Sequence, residues 1–450
     1  MKEDYIPTNL SSSSHPSPRR GEGGRRVIVI GAGPAGLMAA GIAAESSAKT
    51  LLLEKMHRPG QKLRLTGKGR CNLTNTAPLL DFIKHFGPGG RFLRQAFSQF
   101  FSSDLKSFLK NLGVRTVTEP DGRVFPASGD ARDVAEALVL WVTKCGVVLR
   151  NDSQVARLIV EGKRVVGVQL SSKSSSVKRR INEHFPAGEI LRADAIVVAC
   201  GGASYPSTGS SGDGYRLAES VGHSIVPIRP ALVSVETAGD IAPRLQGVSL
   251  REVKVRLLVD EKKQAEVTGA LLFTHFGLSG PMILSWSRAL VDSLRSGRSV
   301  ILSIDLVPEL DEHQLDQRIL LRFRENSRKK FGSLLGELLP KKMIPVCADL
   351  IGVPLDKSGH QITSAERKRL RVWLKDFRLK VIGYRPFTEA MITAGGVNTK
   401  EVDPRTMESR LVKGLYFAGE VLDVDADSGG YNLQMAFSTG WLAGKSVVSL

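Results

Sequence analysis

Apolar and polar positions change rhythm several times along this 450-residue chain. The first sustained apolar run, "VIVIGAGPAGLMAAGIAA" at residues 27–44, carries no charge over eighteen positions. Its length approaches a membrane span, but four glycines and a proline divide it into a strand, a tight turn and a buried helix of small residues. A shorter run, "TLLLE", predicts a second strand that ends on Glu54. "VVAC", beginning at residue 197, predicts a strand that leads into a loop of glycines and hydroxyls. From Pro230 the pattern alternates, as in "ALVSVET" and "SLREVKVRLLV", the rhythm of half-buried strands, and "SVILSIDLVPEL" (299–310) adds a strand and a turn. The rhythm then turns helical in "QLDQRILLRFRENSRKKFGSLLGELLP" and "TSAERKRLRVWLKDF", the latter with Thr363 or Ser364 as a cap before Glu366. The last pattern, residues 414–444, reads as an apolar strand, an acidic Gly-rich loop and a small-residue helix.

The strand–turn–helix–strand at the start has a chemical reading. Gly31 permits the turn, Gly33 lets backbone approach a pyrophosphate, Gly36 permits close helix packing, and the helix N-terminus offers N–H donors to phosphate. Glu54 falls where an acid accepts from a ribose 2′-OH, and its charge disfavours an extra phosphate there. The motif alone leaves FAD and NAD both open. No second GxGxxG follows, and the carboxyl-terminal helix can aim N–H groups at a flavin, with Asp423 or Glu420 reaching ribityl hydroxyls. Alternatively, Asp425 and Asp427 are solvated loop acids, a reading that suits Asp427 better.

Composition narrows the class. Four cysteines, widely spaced and without a CxxC pair, lack the spacing of a disulfide scaffold and the neighbouring pair expected of a disulfide reductase, and no Cys/His cluster suggests a metal. Lys+Arg number 63 against 45 acids, a formal charge of +18 that favours an anionic partner. The first 24 residues are Ser/Pro/Gly-rich and are expected to be disordered, in a protein expected in the cytoplasm, or in a plastid or mitochondrion if that leader acts in import.

Seven stretches, "GAGPAGLMAA", "TGKGRCNLTN", "GRVFPAS", "CGGASYPSTGSSGDGY", "LLFTHFGLSGPMIL", "EAMITAGGVN" and "LYFAGEVLDVD", together resemble the YhiN/BaiN-like (HI0933-like) flavoprotein family from about Arg26 to Gly444. The resemblance implies an α/β fold: a Rossmann-like FAD-binding domain of glutathione-reductase type, interrupted by a β-rich domain carrying a helical subdomain. The expected division is 25–229 and 390–450 for the FAD-binding domain, 230–310 and 376–389 for the β-rich insertion, and 311–375 for basic helices. Expected around FAD are Gly31, Ala32, Gly33, Pro34, Ala35, Gly36, Glu54, Lys55, Lys62, Gly69, Arg70, Cys71 and Asn72, then Gly201, Gly202, Gly419, Glu420, Asp423, Gly430, Tyr431, Asn432 and Leu433.

The implied activity is hydride transfer from reduced FAD to an electron-poor carbon–carbon double bond, in uridine of large ribosomal RNA, or in a small enone or steroid-like compound, with NADPH or NADH as a transient electron donor. A flavin-binding ribosome-assembly factor without reductase activity is the third reading. Lys68 and Arg70 suggest an electropositive setting that lowers the Cys71 thiol pKa and makes it a proton donor; the simpler role is packing beside the flavin. His275 is a second proton-donor candidate, equally readable as structural. Arg322, Arg324, Arg328, Lys329, Lys330, Arg367, Lys368, Arg369 and Arg371 are expected to follow an RNA backbone or to form a solvated face, with Trp373 and Phe377 either stacking on bases or packing inward.

Overall fold

The computed structural model describes residues 24–171 and 188–449, so that all but Gly24 of the expected leader lies outside the described residues. Strand β1 (Arg26–Ile30) has four of its five residues buried, the uniform apolarity of a parallel strand covered on both faces. It runs through Gly31 into helix α1 (Pro34–Glu45), whose leading proline has its φ preset for a first helical turn. Strand β2 (Lys49–Leu53) follows, then helix α2 (Ala131–Lys144) with Asp130 accepting from Arg132 N as its cap, and strands β3 (Val148–Arg150) and β4 (Ala195–Val198).

Strand β5 (Ile225–Ala231) leads out of this unit. Strands β6 (Val235–Thr237), β7 (Ser249–Val259), β8 (Lys262–Phe273) and β9 (Gly277–Ser279), helix α3 (Pro281–Arg295) and strand β10 (Val300–Asp305) come next. The three longer helices that follow, α4 (Glu312–Glu325), α5 (Met343–Ile351) and α6 (Ser364–Lys375), precede strand β11 (Phe377–Tyr384). The six strands close into a barrel in the order β6-β9-β8-β7-β10-β11. Alternation along β11 explains the closure: Phe377, Leu379 and Val381 are buried, while Arg378, Lys380 and Ile382 face out. Thr363 caps α6 in a reciprocal box with Glu366. Trp373 and Phe377 pack together with ring centroids 4.9 Å apart and are 8% and 1% exposed, so neither ring is free to stack on a base.

The chain returns through β12 (Ile392–Val397), antiparallel to β5, and strand β13 (Leu415–Phe417) completes a five-stranded parallel sheet of order β13-β4-β1-β2-β3. Helix α7 (Tyr431–Ser446) lies against α1. Their approach is close because Gly440 faces the Ala35 backbone and Gly444 that of Ala39, with no room for a Cβ at either. No helix among the described residues is long and apolar enough to cross a membrane.

Replacing Gly440 with Val pushes α7 off Ala35, and overpacking of this kind costs about 1–3 kcal/mol. Denaturant unfolding of Gly440→Val should show a loss of that size, whereas an unchanged midpoint would mean that the two helices are not in contact.

Candidate active site

A cleft of about 1180 Å³, including its open mouth, lies at the carboxyl ends of β1, β2, β4 and β13, where open parallel sheets bind ligands. At one end Gly31, with φ +99°, donates its N–H to Leu53 O at 2.7 Å, and a Cβ there would lie 2.6 Å from Ala199 O. Gly36 fits against Gly31 O for the same reason of space, while nothing lies within 4 Å of where a Cβ of Gly33 would be. That open side adjoins the N-terminus of α1, which no side chain caps. Glu54 is buried, and its two oxygens accept from Ala32 N and Met56 N, both at 2.8 Å. Burial pushes its carboxyl up against the opposing pull of those N–H donors. Glu54 therefore braces the glycine turn, and a carboxylate still has lone pairs left for a ribose hydroxyl.

At the other end three segments meet on Glu420. Its Oε2 receives Lys62 Nζ at 2.7 Å, and its Oε1 accepts from Thr393 N at 2.8 Å and Ser204 Oγ at 3.0 Å. Lys62 Nζ also donates to Ser204 Oγ at 2.5 Å, and Thr393 Oγ1 accepts from Ala203 N and Ser204 N. Gly202 leaves room for this cluster: a Cβ would lie 2.8 Å from Glu420 Oε1. Lys62, Gly201, Gly419 and Glu420 line the cleft, with Asn432 and Leu433 from the uncapped start of α7. The Asn432 side chain is committed elsewhere, to Ala426 N and O at 2.9 Å, so its backbone is what it can offer a ligand.

Other expected site residues stand behind the wall. In the orientation that satisfies both ends of its amide, Asn72 donates to Thr74 O at 3.2 Å and accepts from Gly430 N at 3.0 Å, fixing the start of α7. Tyr431 stacks on His85 with centroids 3.9 Å apart. Asp423 lies among Arg229 and Arg288, and burial raises its carboxyl despite them; it does not line the cleft. Asp425, expected to be solvated, is 8% exposed and pairs with Arg288 at 3.3 Å, and Asp427 meets His85. Gly69 and Arg70 also lie off the cleft; Arg70 pairs with Glu119 at 2.6 Å and covers the Phe125 ring.

Cys71 is fully buried, and burial pushes its thiol up to about 12, with only a Thr66 hydrogen bond opposing. The expectation of a thiol with lowered pKa is overturned: the cations that suggested it do not reach the sulfur. His275 is exposed on the barrel, edge-on to Phe276, and does not line the cleft. Sequence reading missed Ser153, Gln154 and Val155 at the nucleotide end, and Met391 and Ile392 at the other. Met391 and Ile392 belong to "EAMITAGGVN", already singled out as a motif; the first three carry no local signal and matter because the residues after β3 pass the sheet edge.

These features fit a dinucleotide. The uncapped α1 N-terminus opens onto vacant space beside Gly33, and the Ser210 hydroxyl is buried without a partner on the cleft wall. The profile described as HI0933-like protein Rossmann domain matches residues 25–446. The chain belongs to this family. It is thus an FAD-dependent oxidoreductase of mixed α/β fold. A 3-dehydro-bile acid delta(4,6)-reductase of Clostridium scindens is 33% identical over 423 residues, 94% of this chain and 98% of that protein. A ribosomal RNA dihydrouridine synthase of Escherichia coli is 30% identical over 422 residues, with the same two coverages. The solved 3-ketosteroid-Δ4-(5α)-dehydrogenase of Rhodococcus jostii shares the fold at a TM-score of 0.50 and 16% identity, over 96% of this chain and 98% of that one.

Iodoacetamide at mildly alkaline pH should label Cys145, which is part-exposed, and leave Cys71 and Cys347 untouched until denaturant is added. Peptide mass mapping checks this; rapid native labelling of Cys71 would restore it as a reactive group.

Proposed function

We propose that the protein reduces a carbon–carbon double bond conjugated to a carbonyl, with uridine in ribosomal RNA as the substrate. Two curated relatives, at equal coverage, are named for a bile-acid reduction and for dihydrouridine synthesis. Both transformations add two hydrogens across an alkene beside a carbonyl. Bound and reduced, FAD would supply the hydride for this step.

This chain's own residues would hold and shield the group. The α1 N-terminus and Gly33 receive the diphosphate, Glu54 the ribose, and the start of α7 with Gly419 the flavin end. The Lys62–Glu420–Ser204 cluster keeps that end polar and ordered. Cys71, off the cleft and held protonated, would serve as packing behind the wall, and the proton for the second carbon would come from water or from a substrate-side group.

The observation that favours RNA is a set of unpaired cations. Arg322, Arg367 and Arg371 are consumed by Glu337 and Asp316, and Arg369 donates to Ile351 O. Arg324, Arg328, Lys329, Lys330 and Lys368 are exposed with no ion-pair partner among the described residues. The RNA-contacting part of the basic set is thus proposed to be these five, with the other four bracing the helices. A small enone is favoured instead by Met391, an apolar side chain 40% exposed on the cleft wall. NADPH or NADH is proposed as the electron source, and anaerobic mixing with each, followed at the flavin band, tests that.

Reduced protein incubated with cellular RNA should add two hydrogens to a uridine, read by mass analysis against a reaction without reduced flavin. Turnover of a steroid enone with inert RNA would select the second substrate. Replacing Arg328, Lys329 and Lys330 together by Ala should shallow the salt dependence of RNA binding by about 2 in log–log slope, near 0.7 per lost phosphate contact. An unchanged slope would return that surface to a solvating role.

A further inference from the structure

The loop from Gly201 to Asp213 leaves the end of β4 and crosses to the nucleotide end of the cleft, where Thr208, Ser210 and Asp213 face the same space as Glu54. It is pinned there from both sides. Asp213, its side chain 10% exposed, meets Lys55 Nζ at 2.5 Å, and the same ammonium donates to Ser211 Oγ at 2.6 Å. Gly209, with φ +99°, lies so near the opposite segment that a Cβ would sit 2.7 Å from Met56 Cγ and 3.4 Å from Lys55 Cε. Gly212 N donates to Gly202 O at 3.0 Å, closing the loop onto its own root. Within it, Ser210 Oγ is buried, residue exposure 5%, and has no hydrogen-bond partner although it lies on the cleft wall. A buried hydroxyl is rarely left unpaired, so its position asks for a ligand atom.

We propose that this loop is a clasp over the adenosine half of FAD, latched across the cleft by the Lys55–Asp213 ion pair, with Ser210 Oγ bonding the cofactor's ribose or diphosphate oxygens. The inference rests on the cleft being the FAD site. It assigns Lys55 and Asp213 to the latch instead of to direct cofactor contact, and adds Ser210 to the binding residues. Burial alone would raise the Asp213 carboxyl, but Lys55, with Arg216, holds it below the usual carboxylate range, so the carboxylate of the latch stays ionised through neutral pH. Release of the cofactor requires the ion pair to part and the loop to lift from Met56. The latch therefore acts on the dissociation rate. It sits at the ribose end, beside Glu54, and leaves the isoalloxazine surroundings alone.

The test dilutes the FAD-loaded protein into flavin-free buffer and follows the rise of free-FAD fluorescence. Asp213→Asn and Lys55→Met should each speed release by about tenfold or more, as loss of one partner of a shielded charge pair acts chiefly on the off-rate. The double variant should release no faster than the faster single one, Lys55→Arg should stay near the wild type, and Ser210→Ala should fall between. The visible spectrum and potential of the bound flavin should not move, a separation that general loosening of the fold would not give. Release within about twofold of wild type in variants with native circular dichroism, the size expected of an exposed pair, would overturn the clasp, as would single effects that multiply in the double variant. If Asp213→Asn does not fold, Lys55→Met breaks the same pair and decides alone. Wild-type protein that cannot hold FAD would sink the site assignment itself; FAD held equally well by all variants would sink only the clasp.

Discussion

The start of α1 is a helix N-terminus sunk into the protein with no side chain to cap it. Such an end leaves N–H groups without intrahelical partners, a cost that an anion lying across it removes. Everything around it keeps the position open and narrow. Gly31 and Gly36 let the turn fold tightly against the end of β4, and Gly440 lets α7 press on Ala35 from behind. Glu54 then ties the turn to β2 through Ala32 N. The cleft stays open beside Gly33 because no side chain there projects into it.

The second constraint is that the Glu420 end of the cleft is assembled from both ends of the chain and its middle. Glu420 collects Lys62, Ser204 and Thr393, contacts separated by as many as 358 positions in sequence. Thr393 belongs to β12, the strand by which the chain returns from the barrel. The strand that follows the barrel thus supplies a residue to the Glu420 end of the cleft.

Charge illustrates how far a composition can be taken. A surplus of 18 positive charges says that an anionic partner is favoured. Where those charges are available is a different matter. Arg367 and Arg371 look as free in the sequence as Lys368 does, yet both close on Asp316, half a hundred residues earlier, because α4 and α6 lie side by side. The cations left over, at and beyond the end of α4 and on α6, stay exposed without an ion-pair partner among the described residues.

Local pattern determined the opening strand–turn–helix–strand, the glycine turn with its acid, the capping box before α6 and the presence of strands in the middle of the chain, because each depends on residues within a few positions of one another. Tertiary structure alone decided that the middle strands close into a barrel, that Trp373 and Phe377 point inward, and that Asp423 and Asp425 are drawn to Arg229 and Arg288. It also decided the fate of Cys71. Neighbouring cations in sequence suggested a reactive thiol, but a left-handed backbone at Cys71, φ +61°, turns the side chain into the core while Arg70 faces Glu119. A thiol's acidity depends on what surrounds the sulfur in space, and spacing along the chain carries no record of burial.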